Sequence, residues 1–230
     1  MNQNMLWSAA VWIIPLVIAI VFHEVSHGLA ARALGDPTAA RLNRLSFNPL
    51  RHVDPIGTVA LPLLLALAKA PMFGWAKPVP VDARRITRTD PRTGMMLVAL
   101  AGPGMNLLLA FVGALLLGVF THWVQAVPDG SVASFVASNL VNFLMINVFL
   151  ALFNLIPLPP FDGGHVVAGL LPERAARQWD KLARFGFPLL ILLLLVLPAL
   201  VPGANIIQRL VNPPAQVLTA WYLTLAGWIA

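Results

Sequence analysis

The residues in this chain best suited to chemistry begin at His23. The run His23-Glu24-Val25-Ser26-His27 reads H-E-x-x-H. On a helix, positions i and i+4 share one face, so His23 and His27 can present two imidazoles to a single metal ion. Glu24 follows the first histidine and can lean toward a water on that metal. Two nitrogen ligands, a neighbouring carboxylate base and room for water make up the zinc-hydrolase arrangement. The chain has no cysteine, so any zinc site must be completed by His or a carboxylate. Asp162, in Phe161-Asp162-Gly163-Gly164, is the carboxylate that suits a His₂Asp set. Asp-Gly-Gly alone is usually a turn, but the upstream motif raises Asp162 above that reading.

The surroundings of the motif are apolar. From Met5 to Phe22 no side chain carries a charge. A metal site at the end of such a run lies at membrane depth, where ionisable groups are expensive and usually functional. The plain alternative is a buried helix with two satisfied histidines and an incidental glutamate, and the same cost weighs against it. The chain has 230 residues, 59% hydrophobic and 10% charged, with a mean hydropathy of +0.81. These values describe a polytopic membrane protein with no room for a large soluble domain. Disulfides are excluded. The net charge of +6 is distributed as membrane topology rather than as a nucleic-acid surface, so no nucleic-acid partner is expected.

The first helix is expected over roughly Leu6 to Leu34, stopped by Gly35-Asp36-Pro37. No Lys or Arg precedes Arg32, so this run lacks the basic start of a signal peptide and reads as a retained span. Residues 41–47 partly alternate and suggest a small surface β-hairpin, with turns at Asn48-Pro49 and Asp54-Pro55. Residues 58–70 are apolar but too short to span, which favours a re-entrant segment. Pro71 to Thr93 is polar and proline-rich, and Lys77-Pro78-Val79-Pro80-Val81 favours extended backbone. That stretch is either a plain connection or an edge for a substrate strand. A second span is expected over roughly Gly94 to Phe120 and contains Ala101-Gly102-Pro103-Gly104-Met105-Asn106. Two glycines and a proline there allow close helix approach and a local kink. Asn106 needs a polar partner and is either packing glue or part of a substrate-binding site. A third span runs roughly from Val132 to Ile156. A short helical or interfacial piece over 166–184, a fourth span over 185–201 and a last apolar segment over 206–230, broken at Pro213-Pro214, complete the chain. Whether His52 or His165 joins the site is left open by their spacing.

Of the fifteen Lys and Arg residues, ten lie between Arg32 and Arg92 and four between Arg174 and Arg184. The positive-inside rule places both blocks in the cytoplasm. The first helix then enters from outside, its motif lies toward the cytoplasmic side, and Asp162 emerges on the same side.

With those residues in hand, the chain resembles the site-2 protease family of intramembrane zinc metalloproteases. The resemblance rests on His23-Glu24-x-x-His27, on Gly102-Pro103-Gly104-Met105-Asn106, and on Asn154-x-x-Pro157-x-Pro159-Pro160-x-Asp162-Gly163-Gly164, and it covers roughly residues 6 to 170. The likeness is to compact bacterial members, without an inserted PDZ domain or a C-terminal nucleotide-sensing domain. It implies Zn2+ held by His23, His27 and Asp162, water activated by Glu24, and Asn154 holding the substrate backbone or the oxyanion. The fold expected is all-α and polytopic, with about four to five transmembrane helices, a re-entrant segment and a small surface β-hairpin, forming a single domain. The expected partners are transmembrane protein substrates and the lipid bilayer, in a bacterial cell membrane. A catalytically inactive, helix-binding adaptor and a membrane zinc transporter are the alternatives. The presence of all four core residues argues against the first, and a glutamate at the base position against the second.

Overall fold

The protein is described here by a computed structural model covering residues 3–67, 74–201 and 206–230. Eight helices make up its frame: α1 Gln3–Ala33, α2 Pro55–Leu67, α3 Pro91–Trp123, α4 Val132–Asn154, α5 Asp162–Leu170, α6 Glu173–Ala183, α7 Gly186–Leu200 and α8 Ile206–Ile229. Helices α1, α3 and α4 are long and apolar enough to cross a membrane, and α6 and α7, joined at a 66° bend, make a fourth candidate if taken as one span. Only 28% of the most apolar window of α1 is buried, and 33% of that of α3. Much of the remainder is exposed hydrocarbon, including Trp12, Ile13, Leu108 and Leu116. Water would not tolerate so much of it, so the solvent on those faces is lipid. The protein is therefore an all-α integral membrane protein.

Residues divide into two compact units, and α1 and α3 contribute to both. The first comprises residues 1–19, 103–154 and 207–230. Its core is Ala110, Ala114 and Leu117 from α3, Leu144 and Val148 from α4, and Ala226 from α8. Small residues let these helices approach closely, and buried polar side chains tie them, as expected where no hydrophobic effect operates between helices. The amide nitrogen of Asn106 donates to Ala19 O at 3.2 Å and to Asn147 Oδ1 at 2.8 Å. Asn142 donates to Val11 O at 2.8 Å, and the Tyr222 hydroxyl to Leu107 O at 3.1 Å. Pro213 and Pro214, expected to break the last segment, lie inside α8.

The second unit comprises residues 20–102 and 155–206. It contains the expected surface hairpin region, and there the expectation fails: among the described residues there is no strand. After one helical turn at Thr38–Arg41, Asn43 takes a left-handed conformation with φ of 52°. Arg44 N bonds back to Ala39 O at 2.9 Å, the Arg51 guanidinium donates to Asn43 O at 2.7 Å, and that of Arg44 to Lys77 O at 2.8 Å. Local turns and arginine side chains meet the hydrogen-bonding needs of this backbone, so no ladder has to form. The alternation of Arg, Leu and Asn that suggested a strand is the alternation of an irregular surface loop. The expected short apolar segment is helical as α2 up to Leu67, and residues 68–73 lie outside the described residues.

Candidate metal centre

The three potential ligands all belong to the second unit. His23 and His27 stand one turn apart on α1, their rings edge to face with centroids 4.6 Å apart. Asp162 opens α5, and its Oδ2 lies 3.2 Å from His23 Nε2 and 3.4 Å from His27 Nε2. The two Nε2 atoms are 3.0 Å apart. Ligands about 2.0–2.2 Å from a tetrahedral zinc sit roughly 3.3–3.6 Å from one another. The three observed separations fall close to that edge length, as a triangle of donors around one ion requires.

Two further observations support that fit. Asp162 Oδ2 is buried and accepts no well-formed hydrogen bond. A buried carboxylate oxygen in that condition calls for a cation. His27 Nδ1 lies 2.7 Å from the carbonyl oxygen of Val98 on α3. A carbonyl can only accept, so Nδ1 is assigned the proton and Nε2 is left with its lone pair toward Asp162 and His23. Metal-ligating histidines are commonly oriented in this way.

The close approach of α3 has a steric condition. A Cβ on Gly102 would lie 2.5 Å from His27 Nε2 and 2.6 Å from His23 Cε1. Only glycine leaves room there for both imidazoles. Asp162 has a similar condition beside it. A Cβ on Gly163 would lie 2.3 Å from Ile156 O and 2.4 Å from Leu155 O. The chain from α4 folds back onto the first turn of α5, so Asp162-Gly163-Gly164 is a helix start pressed against backbone rather than a free turn.

Glu24 is tied to another element. Its Oε2 accepts the backbone N–H of Val79 at 2.8 Å. Val79 belongs to the proline-rich stretch, which is held at several points along its backbone. Lys77 N donates to His52 O at 2.8 Å, and Asp82 N donates to Asp36 Oδ2 at 2.7 Å. Asp36 is fully buried and also accepts from Thr38 N at 2.9 Å and from the Thr38 hydroxyl. Burial pushes its carboxyl up, but the bonds from the Thr38 hydroxyl and from the Asp82 and Thr38 amides outweigh it and hold the carboxyl below its ordinary value.

The group of potential ligands contains neither His52 nor His165. His52 is buried, with Nε2 2.7 Å from Ser46 O, and holds a loop; His165 is exposed on α5. Asn106 is fully buried in the first unit. Asn154 ends α4, its amide nitrogen donating to Leu150 O at 2.9 Å. Two contributors escape a sequence reading: Val98 acts through its carbonyl and Val79 through its N–H, groups every residue of that kind carries.

The family model for peptidase family M50 matches residues 11–197. The chain belongs to peptidase family M50. That match contains His23, Glu24, His27 and Asp162, and it bears out the resemblance to the site-2 proteases. This M50 member is 36% identical over 200 residues to the Bacillus subtilis protein named "Putative zinc metalloprotease YwhC", covering 87% of this chain and 85% of that one. It is 30% identical over 214 residues to a Mycobacterium tuberculosis protein named "Putative zinc metalloprotease Rip2", covering 93% of this chain and 70% of the relative. The Mycolicibacterium smegmatis protein of the same name is 30% identical over 185 residues, covering 80% of this chain and 66% of that protein. No solved structure matches the chain significantly.

Proposed function

We propose that this M50 member is a zinc metalloprotease that hydrolyses peptide bonds in or near the transmembrane segments of other membrane proteins, as in regulated intramembrane proteolysis. The observation that carries the proposal is the triangle of His23, His27 and Asp162 donor atoms, with all three atoms within 4.8 Å of one another, two of them on an apolar helix that can cross a membrane. The names of the relatives support the same metal. His23, His27 and Asp162 would hold Zn2+. Bound there, zinc supplies a Lewis acid that lowers the pKa of a coordinated water toward ~7 and polarises the scissile carbonyl.

The remaining work falls to side chains. Glu24 is the general base: it takes the proton of the attacking water as the new C–O bond forms. It then delivers that proton to the departing amide nitrogen as the C–N bond breaks. Val79 N–H holds one oxygen of that carboxylate, which fixes its rotamer. Val98 O keeps the His27 ring in the ligating tautomer. Asn154 is proposed to hold the substrate backbone or the oxyanion; its amide nitrogen carries two protons, and Leu150 O uses one. Asn106, with its amide nitrogen shared between Ala19 and Asn147, is assigned to helix packing rather than to substrate.

The basic residues flanking α1 and α3 support an active site toward the cytoplasmic side. The bacterial sources of the relatives support a bacterial cell membrane. The test is co-expression with candidate single-span substrates, comparing wild type with Glu24→Gln. General-base assistance is worth about 10²–10⁴-fold, so the variant should keep one zinc, keep its fold and leave the substrate uncut. Cleavage by Glu24→Gln at the wild-type rate would refute the hydrolytic mechanism.

A further inference from the structure

Asp162 stands at one end of α5, and something must fix the other. That end is held by Arg92, in the first turn of α3. One guanidinium nitrogen donates to Ala168 O at 2.6 Å, lies 3.5 Å from Gly169 O, and also donates to Leu171 O. Ala168 and Gly169 carry terminal carbonyls of α5, which have no partner within the helix, and Leu171 is the residue that caps it. A cation there also meets the negative end of the helix dipole. Arg92 is itself fixed: Asp90 accepts from Arg92 N at 3.1 Å and from Thr93 N at 3.0 Å, capping α3. One turn on, Met96 packs directly against Gly169. Farther along the same helix come Val98, whose carbonyl meets His27, and Gly102, which lies against both imidazoles. At the start of α5, Trp179 Nε1 donates to Gly164 O at 2.9 Å.

We infer that Arg92 is a positioning residue for the metal centre: by clamping the C-terminal carbonyls of α5 to α3, it sets the place of Asp162 against His23 and His27. The inference rests on reading those three residues as metal ligands. Its physical basis is leverage. Helix α5 has nine residues, a rod of about 13 Å at 1.5 Å per residue. A tilt of about 5° at the clamped end moves the other end by about 1 Å over that length. Metal–ligand distances must hold to about 0.2 Å. A small loosening at Arg92 therefore exceeds the tolerance of the site although Arg92 touches neither metal nor substrate. Because α3 carries both the clamp and the groups that seat the histidines, one rigid element gauges the two ligand-bearing helices against each other.

The test is zinc affinity, measured on purified full-length protein in detergent by competition with a chromophoric chelator, in a double-mutant cycle. Loss of an outer partner of a metal ligand typically costs 10–100-fold in affinity, so Arg92→Met should weaken zinc binding by about that factor. Arg88→Met, the same loss of charge at an exposed position, should bind zinc as wild type does. If Arg92 acts through Asp162, the cost of Arg92→Met should nearly vanish in an Asp162→Ala background. A general loosening of the fold would weaken the remaining two-histidine site as well. Equal loss in both backgrounds, or unchanged affinity in Arg92→Met, overturns the inference. Should Arg92→Met not fold, Arg92→Lys goes through the same cycle. It keeps the charge but not the planar fork, and an intermediate loss confined to the Asp162 background is expected. A wild-type protein that binds no zinc brings down the metal-centre reading itself, a result distinct from failure of the clamp.

Discussion

Glu24 Oε2 and the backbone nitrogen of Val79 are 2.8 Å apart, which joins the proposed base to a stretch of extended chain 55 residues downstream. A hydrogen bond to a charged group is worth about 1.5–3 kcal/mol. Val79→Pro removes the donor while leaving extended backbone attainable. It should lower the cleavage rate by roughly 10–100-fold, the equivalent of that energy, with zinc content unchanged. Val79→Ala keeps the N–H and should cleave near the wild-type rate. Full activity in Val79→Pro would show that Glu24 needs no such support.

Gly102→Ala addresses the opposite side of the site. The new methyl would meet His27 Nε2 at 2.5 Å, and the atoms it meets are the ligating edges of the rings. Overpacking of this kind costs about 1–3 kcal/mol. The displaced groups are ligands, so the loss should show as weaker zinc binding, about 5–150-fold, before it shows in stability. Wild-type zinc affinity in Gly102→Ala would mean that α3 or the imidazoles can shift at little cost.

Asp36 carries a pH prediction. Its carboxyl is held below the ordinary value in the folded protein. A depressed carboxylate contributes stability that is complete above its unfolded pKa of about 3.9 and is lost as pH falls through the lower folded value. Asp36→Ala should therefore melt at a lower temperature than wild type at pH 7, and the gap should close below about pH 4. Thermal scans of detergent-solubilised protein across that range measure it. A gap that persists undiminished at low pH would assign the effect to packing rather than to the ionised carboxylate.

Orientation can be read because the chain has no cysteine. Cysteines introduced as Arg88→Cys and Gly130→Cys flank α3 and should react with membrane-impermeant reagent from opposite sides, position 88 from the cytoplasm. Labelling of both from one side would remove α3 from the set of spans.

The long helices were legible because their signals are local. Gly35-Asp36-Pro37 stops α1, and long, largely apolar runs mark α3 and α4 within a few residues of their ends. The convergence on a metal could be anticipated because His, Glu and Asp are scarce in such a chain. Residues 41–47 alternate as a strand does, yet no strand forms, because Arg44 and Arg51 meet the backbone's needs from their side chains. Pro213 and Pro214 are the converse case: they read as a break, yet α8 runs through both. Val79 and Val98 could not be read at all: they serve through backbone atoms. Arg92 counted only as one positive charge among ten, because its partners lie more than 70 residues away.

The centre also has an order in time. His27 and Asp162 are separated by 135 residues, so the histidine pair leaves the ribosome well before its carboxylate partner exists. At about 5–20 residues per second, that interval is roughly 7–27 seconds. During it α1 can enter the bilayer with two imidazoles and no complete binding set. The set of three ligands therefore cannot close before Asp162 is made, and a further 68 residues follow it.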